Sequence, residues 1–108
     1  MPRLEKRWLD EIDAGRKTCE GRVERGYWAT VKVGDVITFS DAEGTREIKV
    51  KVVAVRVFDT FREMYSRYGE RLLPGVETED EAHAIYEGIY PEEMGERHPK
   101  VAIEIVKV

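Results

Sequence analysis

Three side chains able to do chemistry together, Lys17, Glu20 and Arg22, fall within residues 15–22, which read G-R-K-T-C-E-G-R. A carboxylate flanked by two cations holds all three groups in their charged forms. Such a set can grip an anionic or amide-bearing ligand through the Lys and Arg, with the carboxylate aiming the donors. The same residues could serve a metal-independent hydrolase, with Lys17 as nucleophile or general base and Glu20 as its proton-transfer partner. A neighbouring carboxylate favours the ammonium form and so works against a nucleophilic amine, which ranks binding ahead of catalysis. The plain alternative is a solvated ion-pair cluster worth little energy.

The elements that must position these residues can be read on either side. Leu4, Trp8, Leu9 and Ile12 recur at three- and four-residue spacing, one apolar stripe on a short helix. That pattern places Trp8 in the core, ahead of the alternative that it stacks on a base. Gly15 suits the left-handed residue that closes a helix. From Lys17 to Val23 the chain reads as extended, so Thr18, Glu20 and Arg22 project from one face and Cys19, Gly21 and Val23 from the other. Lys17 has the second parity but sits at the junction, where it can swing toward the first. Gly21 marks a bulge or a close backbone approach. Arg25 and Gly26 form a turn, followed by Tyr27 and Trp28. Arg and aromatic side chains interleaved in this way either sandwich a nucleobase or pack over the end of a barrel.

Further along, Lys32-Val33-Gly34-Asp35 opens a strand over 36–39, and Asp41 to Gly44 makes a hairpin connection. Residues 46–58 form the longest strand candidate, alternating at first and then apolar on both parities from Val52 to Val57, which predicts cover on both faces there. A strand so long is expected to bend or bulge. Two capping boxes, Thr60 to Glu63 and Thr78 to Glu81, each open a helix, with Leu72-Leu73-Pro74-Gly75 turning between them. The chain closes on a strand around Val101, Ile103 and Ile105. The pattern is α+β.

With 108 residues the chain makes a single domain, and 37% charged residues with a mean hydropathy of −0.50 give it a densely charged surface, compatible with a thermophilic source. No apolar run approaches the ~20 residues of a membrane span. The N-terminus lacks the apolar stretch of a signal peptide, and the lone Cys19, expected in the core, suits a reducing cytoplasm. Residues 1–32 carry eight Lys/Arg against six Asp/Glu, whereas residues 69–98 carry two against nine. A polyanion contact is therefore expected near the motif and away from the acidic segment. That segment offers instead a surface for a protein partner. His83 and His98 are isolated, so no metal site is expected, and no phosphate loop or dinucleotide fingerprint suggests a cofactor.

The spacing G-x-K-x-x-E-x-R at Gly15, Lys17, Glu20 and Arg22 resembles the signature of the ASCH domain, a relative of the PUA RNA-binding barrels. The helix before the motif, K-V-G-D from Lys32, L-P-G from Leu73 and I-Y-P from Ile89 extend the resemblance over nearly the whole chain. It implies a mostly antiparallel barrel of about five strands with three flanking helices, and a cleft at its mouth lined by Lys17, Glu20 and Arg22. It also implies RNA or a modified nucleoside as ligand, with Gly15, Arg25, Tyr27 and Trp28 around it. Some members hydrolyse acetylated cytidine and nuclease action is proposed for others. The acetylcytidine branch has Thr where Glu20 stands and a further Glu, for which Glu77 is the loose candidate here. Residues 1–3 leave little length for the N-terminal strand of many members.

Overall fold

The computed structural model describes residues 2–108 and contains three helices and one curled, fully antiparallel sheet. Helix α1 spans Lys6–Asp13, strand β1 Cys19–Val23, β2 Val36–Ser40, β3 Glu47–Phe58, α2 Phe61–Tyr68, α3 Glu79–Ile89 and β4 Lys100–Lys107. Strand order is β1-β4-β3-β2, so the C-terminal strand is internal and β1 is an edge. The fold is α+β, with four strands forming a half-barrel. About five strands were expected; among the described residues the sheet has four, and beside β2 there is only an isolated parallel bridge, Arg3 with Ser40. Met1 lies outside the described residues.

Local chemistry accounts for the elements. Gly15 closes the α1 segment at φ +80°, and Thr60 and Thr78 accept from the backbone N–H of Glu63 and Glu81, each at 3.1 Å, as capping residues do. The hairpin between β2 and β3 turns at Gly44, also at positive φ.

Two hydrophobic clusters lie on the sheet's two faces. Leu9 and Ile12 of α1 pack with Phe39, Val50, Val52, Val101, Ile103 and Ile105 inside the curl. On the other face Cys19, Val23 and Ala102 meet Phe61, Met64, Leu72 and Tyr86 from the α2–α3 layer. The register follows from this partition, because Glu20 pairs with Ile103 and Arg22 with Val101, so both point to the α1 side, while Cys19 and Gly21 point to α2 and α3. Shifting the pairing by one residue would bury the wrong parity.

The second half of β3 differs from expectation. Val53 and Val57 are exposed rather than covered on both faces. A register shift between Val52 and Ala54 leaves Val53 as an extra residue, after which Ala54, Arg56 and Phe58 occupy the α2–α3 side. Apolar residues on both parities therefore record a change of face at a bulge.

Candidate functional site

β1 is five residues long and its whole inner edge is held by β4, which fixes Glu20 and Arg22 two residues apart at the open margin of the sheet. Just before it, the chain leaving Gly15 brings Lys17 inward against the turn at Leu72. The Lys17 ammonium donates to Cys19 O at 2.8 Å and to Leu72 O at 2.5 Å, and lies 3.1 Å from Glu20 Oε1. Its three N–H groups are thus all committed. Glu20 Oε2 accepts from Arg22 Nε at 2.6 Å, and Arg22 Nη2 donates to Arg3 O at 3.0 Å. The guanidinium lies over the Trp28 ring, 4.6 Å from its centroid.

Lys17 is 2% exposed and Glu20 5%, so the pair is far more buried than a solvated ion-pair cluster would be. Burial pushes the Glu20 carboxyl up, but Lys17 and Arg22 outweigh it and hold the group below the usual carboxylate range. For Arg22, burial works against the charge and Glu20 more than restores it, leaving the guanidinium more basic than usual. The array is charged and internally neutral but for one surplus positive unit. Lys17, two residues before the strand, reaches Glu20 from the junction; no parity rule forbids it.

This triad floors a pocket of about 190 Å³ between the start of α1 and the outer end of α3. Its walls are largely apolar: Leu4 and Trp8 on one side, Ile85, Ile89, Tyr86 and Tyr90 on the other, with Arg3 at the rim. Trp8, expected first in the core and only second as a stacking residue, is 6% exposed and also lines the pocket, with Lys17 Nζ 5.5 Å from its ring centroid. Tyr86 is held by Phe61, whose ring stacks on it at 3.9 Å with an interplanar angle of 3°. Gly21 allows the approach: a Cβ there would stand 2.7 Å from Met64 Sδ and 2.8 Å from the Tyr86 hydroxyl.

The structure separates the expected site residues into two groups. Lys17, Glu20 and Arg22 converge on the pocket. Arg25, Tyr27 and Trp28 do not line it: Arg25 pairs with Glu93 at 3.2 Å, Tyr27 and Trp28 border a separate shallow hollow with Pro2 and Thr38, and Trp28 backs Arg22 from outside. Gly15 shapes the turn and does not line the pocket. Glu77 is exposed and away from it. The acidic segment supplies Leu73 and the four α3-side wall residues, while Glu79 and Asp80 face outward to Arg62. Sequence reasoning missed Tyr86 because its place in the apolar stripe of α3 reads as core packing, and Tyr90 because it falls four residues on, just past the end of that helix. Among the described residues no group of three or more His, Cys, Asp or Glu is arranged to hold a metal ion.

The family model for the ASCH domain matches residues 3–108 of this chain. Among solved structures, the hypothetical protein PH0355 superposes with a TM-score of 0.87 at 36% identity, over 98% of this chain and 95% of that one. Protein PF0455 from Pyrococcus furiosus does so at 0.76 and 36%, over 98% and 94%. The ASCH protein of Zymomonas mobilis shares the fold at a TM-score of 0.67 and 18% identity, over 96% of this chain and 64% of that one. No curated protein matches the chain.

Proposed function

This chain belongs to the ASCH domain family, and on that premise we propose that its pocket holds one unstacked base of a single-stranded RNA, or a free modified nucleoside. The observation that carries the reading is the placement of a buried, charged donor array at the bottom of an apolar, aromatic-walled pocket. About 190 Å³ is below the ~300–1,000 Å³ of drug-sized sites but above the ~150 Å³ that admits benzene. One ring with substituents enters; an oligonucleotide has to leave its backbone outside. Arg3 at the rim and the free edge of Arg22 are placed to meet that backbone, while Trp8, Tyr86 and Tyr90 offer apolar contact to the ring.

A hydrolase is less well supported. The nucleophile it would need, Lys17, spends every N–H on two carbonyls and Glu20, and both Glu20 oxygens are already accepting. Binding requires no change in that network.

Calorimetric titration with nucleosides and with short unstructured RNAs tests the reading. Saturable binding is expected, weakened by Arg22→Ala, with log affinity for RNA falling against log salt with a slope of about −1.4 if Arg3 and Arg22 each neutralise a phosphate. Absence of saturable binding by every nucleoside and RNA at low ionic strength refutes it. Turnover of acetylated cytidine or RNA, abolished by Lys17→Ala, would move the assignment to the hydrolase.

A further inference from the structure

The polar groups around the pocket differ in whether they have hydrogen bonds left to make. Lys17 has none, and both Glu20 oxygens are engaged. Tyr86 is the contrast. It is 3% exposed, yet among the described residues its hydroxyl has no hydrogen-bond partner. No side-chain polar atom of the described residues is both fully buried and unpartnered, so this oxygen must open onto the pocket that Tyr86 lines. Its position is further fixed by Gly21, the residue between Glu20 and Arg22 in β1, since a Cβ there would meet the hydroxyl at 2.8 Å. The hydroxyls of half-buried Tyr65 and buried Tyr68 are satisfied: Tyr65 donates to Val76 O and Tyr68 to Glu104. A hydroxyl on a tyrosine buried beyond nine-tenths, facing a pocket and left without a partner, is the exception in folded proteins and calls for one from outside.

The hydroxyl is also rigid. The Tyr86 ring is clamped face to face on Phe61, and the Lys100 ammonium lies 5.6 Å from the centre of the Phe61 ring. Lys100 is itself anchored to Asp59 O and Gly95 O, at 3.1 and 2.7 Å. Burial, and then the Glu20 charge, push the Tyr86 phenol well above its ordinary range, so it keeps its proton and remains a donor. Arg22 adds N–H groups beyond those given to Glu20 and Arg3 O. Tyr86 and Arg22 therefore bring unspent donors to the pocket, and the Glu5 carboxylate that also lines it supplies acceptors.

Building on the single-ring reading above, we infer that Tyr86 determines specificity: its hydroxyl donates to an acceptor on the ring that enters, so the pocket selects a six-membered heteroaromatic ring presenting a carbonyl oxygen. A ring without that oxygen leaves the phenol desolvated and unpaired, which a site of this size cannot relieve with bulk water. Selection by a buried donor is sharper than selection by apolar shape.

The test uses the full chain and three probes: uridine, cytidine, and the riboside of benzene, whose ring has the same outline without acceptors. Wild type should bind uridine or cytidine about 5- to 100-fold more tightly than the benzene riboside. Tyr86→Phe retains the stack on Phe61 and should melt near wild type. It should lose most of that preference, chiefly because the benzene riboside no longer faces an unpaired phenol and binds more tightly than it does to wild type. If a pyrimidine nucleoside binds but the preference is absent in wild type, or survives in Tyr86→Phe, the inference fails and the single-ring reading stands. If none of the three binds, both fall. Inorganic phosphate binding more tightly than any nucleoside would also overturn the inference, since the floor would then be an anion site.

Discussion

Removing the Glu20 carboxylate is the most direct challenge to the physics of this site. Glu20→Ala leaves Lys17, 2% exposed, without the only carboxylate it contacts among the described residues, and takes from Arg22 the partner at 2.6 Å. Breaking a buried pair by deleting one member costs about 3–5 kcal/mol, because the other charge stays desolvated. The pocket lies next to Glu20, so water can enter the space left and the lower end of that range is expected. At roughly 4 °C per kcal/mol for a chain of this size, the melting temperature should drop by about 12 °C or more at neutral pH. Acid should narrow the gap. Glu20 has a folded pKa held below its ordinary 4.5, so its stabilisation is fully present above about that value and is lost as pH falls through the folded pKa. The difference between wild type and Glu20→Ala, followed by thermal melts from pH 7 to pH 2.5, should therefore shrink at the acid end. Glu20→Gln should sit between the two at pH 7, keeping shape and losing charge. A Glu20→Ala melt within about 2 °C of wild type at pH 7 would mean that Lys17 is solvated without its partner, and the reading of a desolvated triad would be wrong.

Gly21→Ala should destabilise by about 1–3 kcal/mol, because the new methyl group would meet Met64 Sδ and the Tyr86 hydroxyl at under 3 Å; denaturant melts give the size, and an unchanged midpoint would show that α3 yields freely. Cys19 is fully buried, and burial pushes its thiol up to about 12, so iodoacetamide at pH 8 should leave the folded protein unmodified and label it fully in denaturant. Rapid labelling of the native protein would show that β1 detaches from its edge position.

Much of this protein is written locally. The α1 stripe, the Gly15 stop, the two threonine caps and the alternation of β3 depend on neighbours a few residues away, so spacing alone reveals them. The parity of β1 likewise put Glu20 and Arg22 on one face and Cys19 and Gly21 on the other before any partner was known. Charge types within six positions were enough to bring Lys17, Glu20 and Arg22 forward as a group.

What needed the tertiary structure was everything set by long-range pairing. Burial of the triad follows from β1 lying against β4, some 80 residues on in the chain, and from Leu72 O capping Lys17 across 55 positions. The face change in β3 comes from a bulge, which leaves composition unaltered. Arg25, Tyr27 and Trp28 are close to the motif in sequence, but β1 ends at Val23 and the chain turns away, so proximity along the chain misplaced them. Tyr86 and Tyr90 are remote in sequence and come to the pocket because α3 packs across the sheet edge. A core tyrosine and a pocket tyrosine share one helical period; only the space in front of the hydroxyl tells them apart.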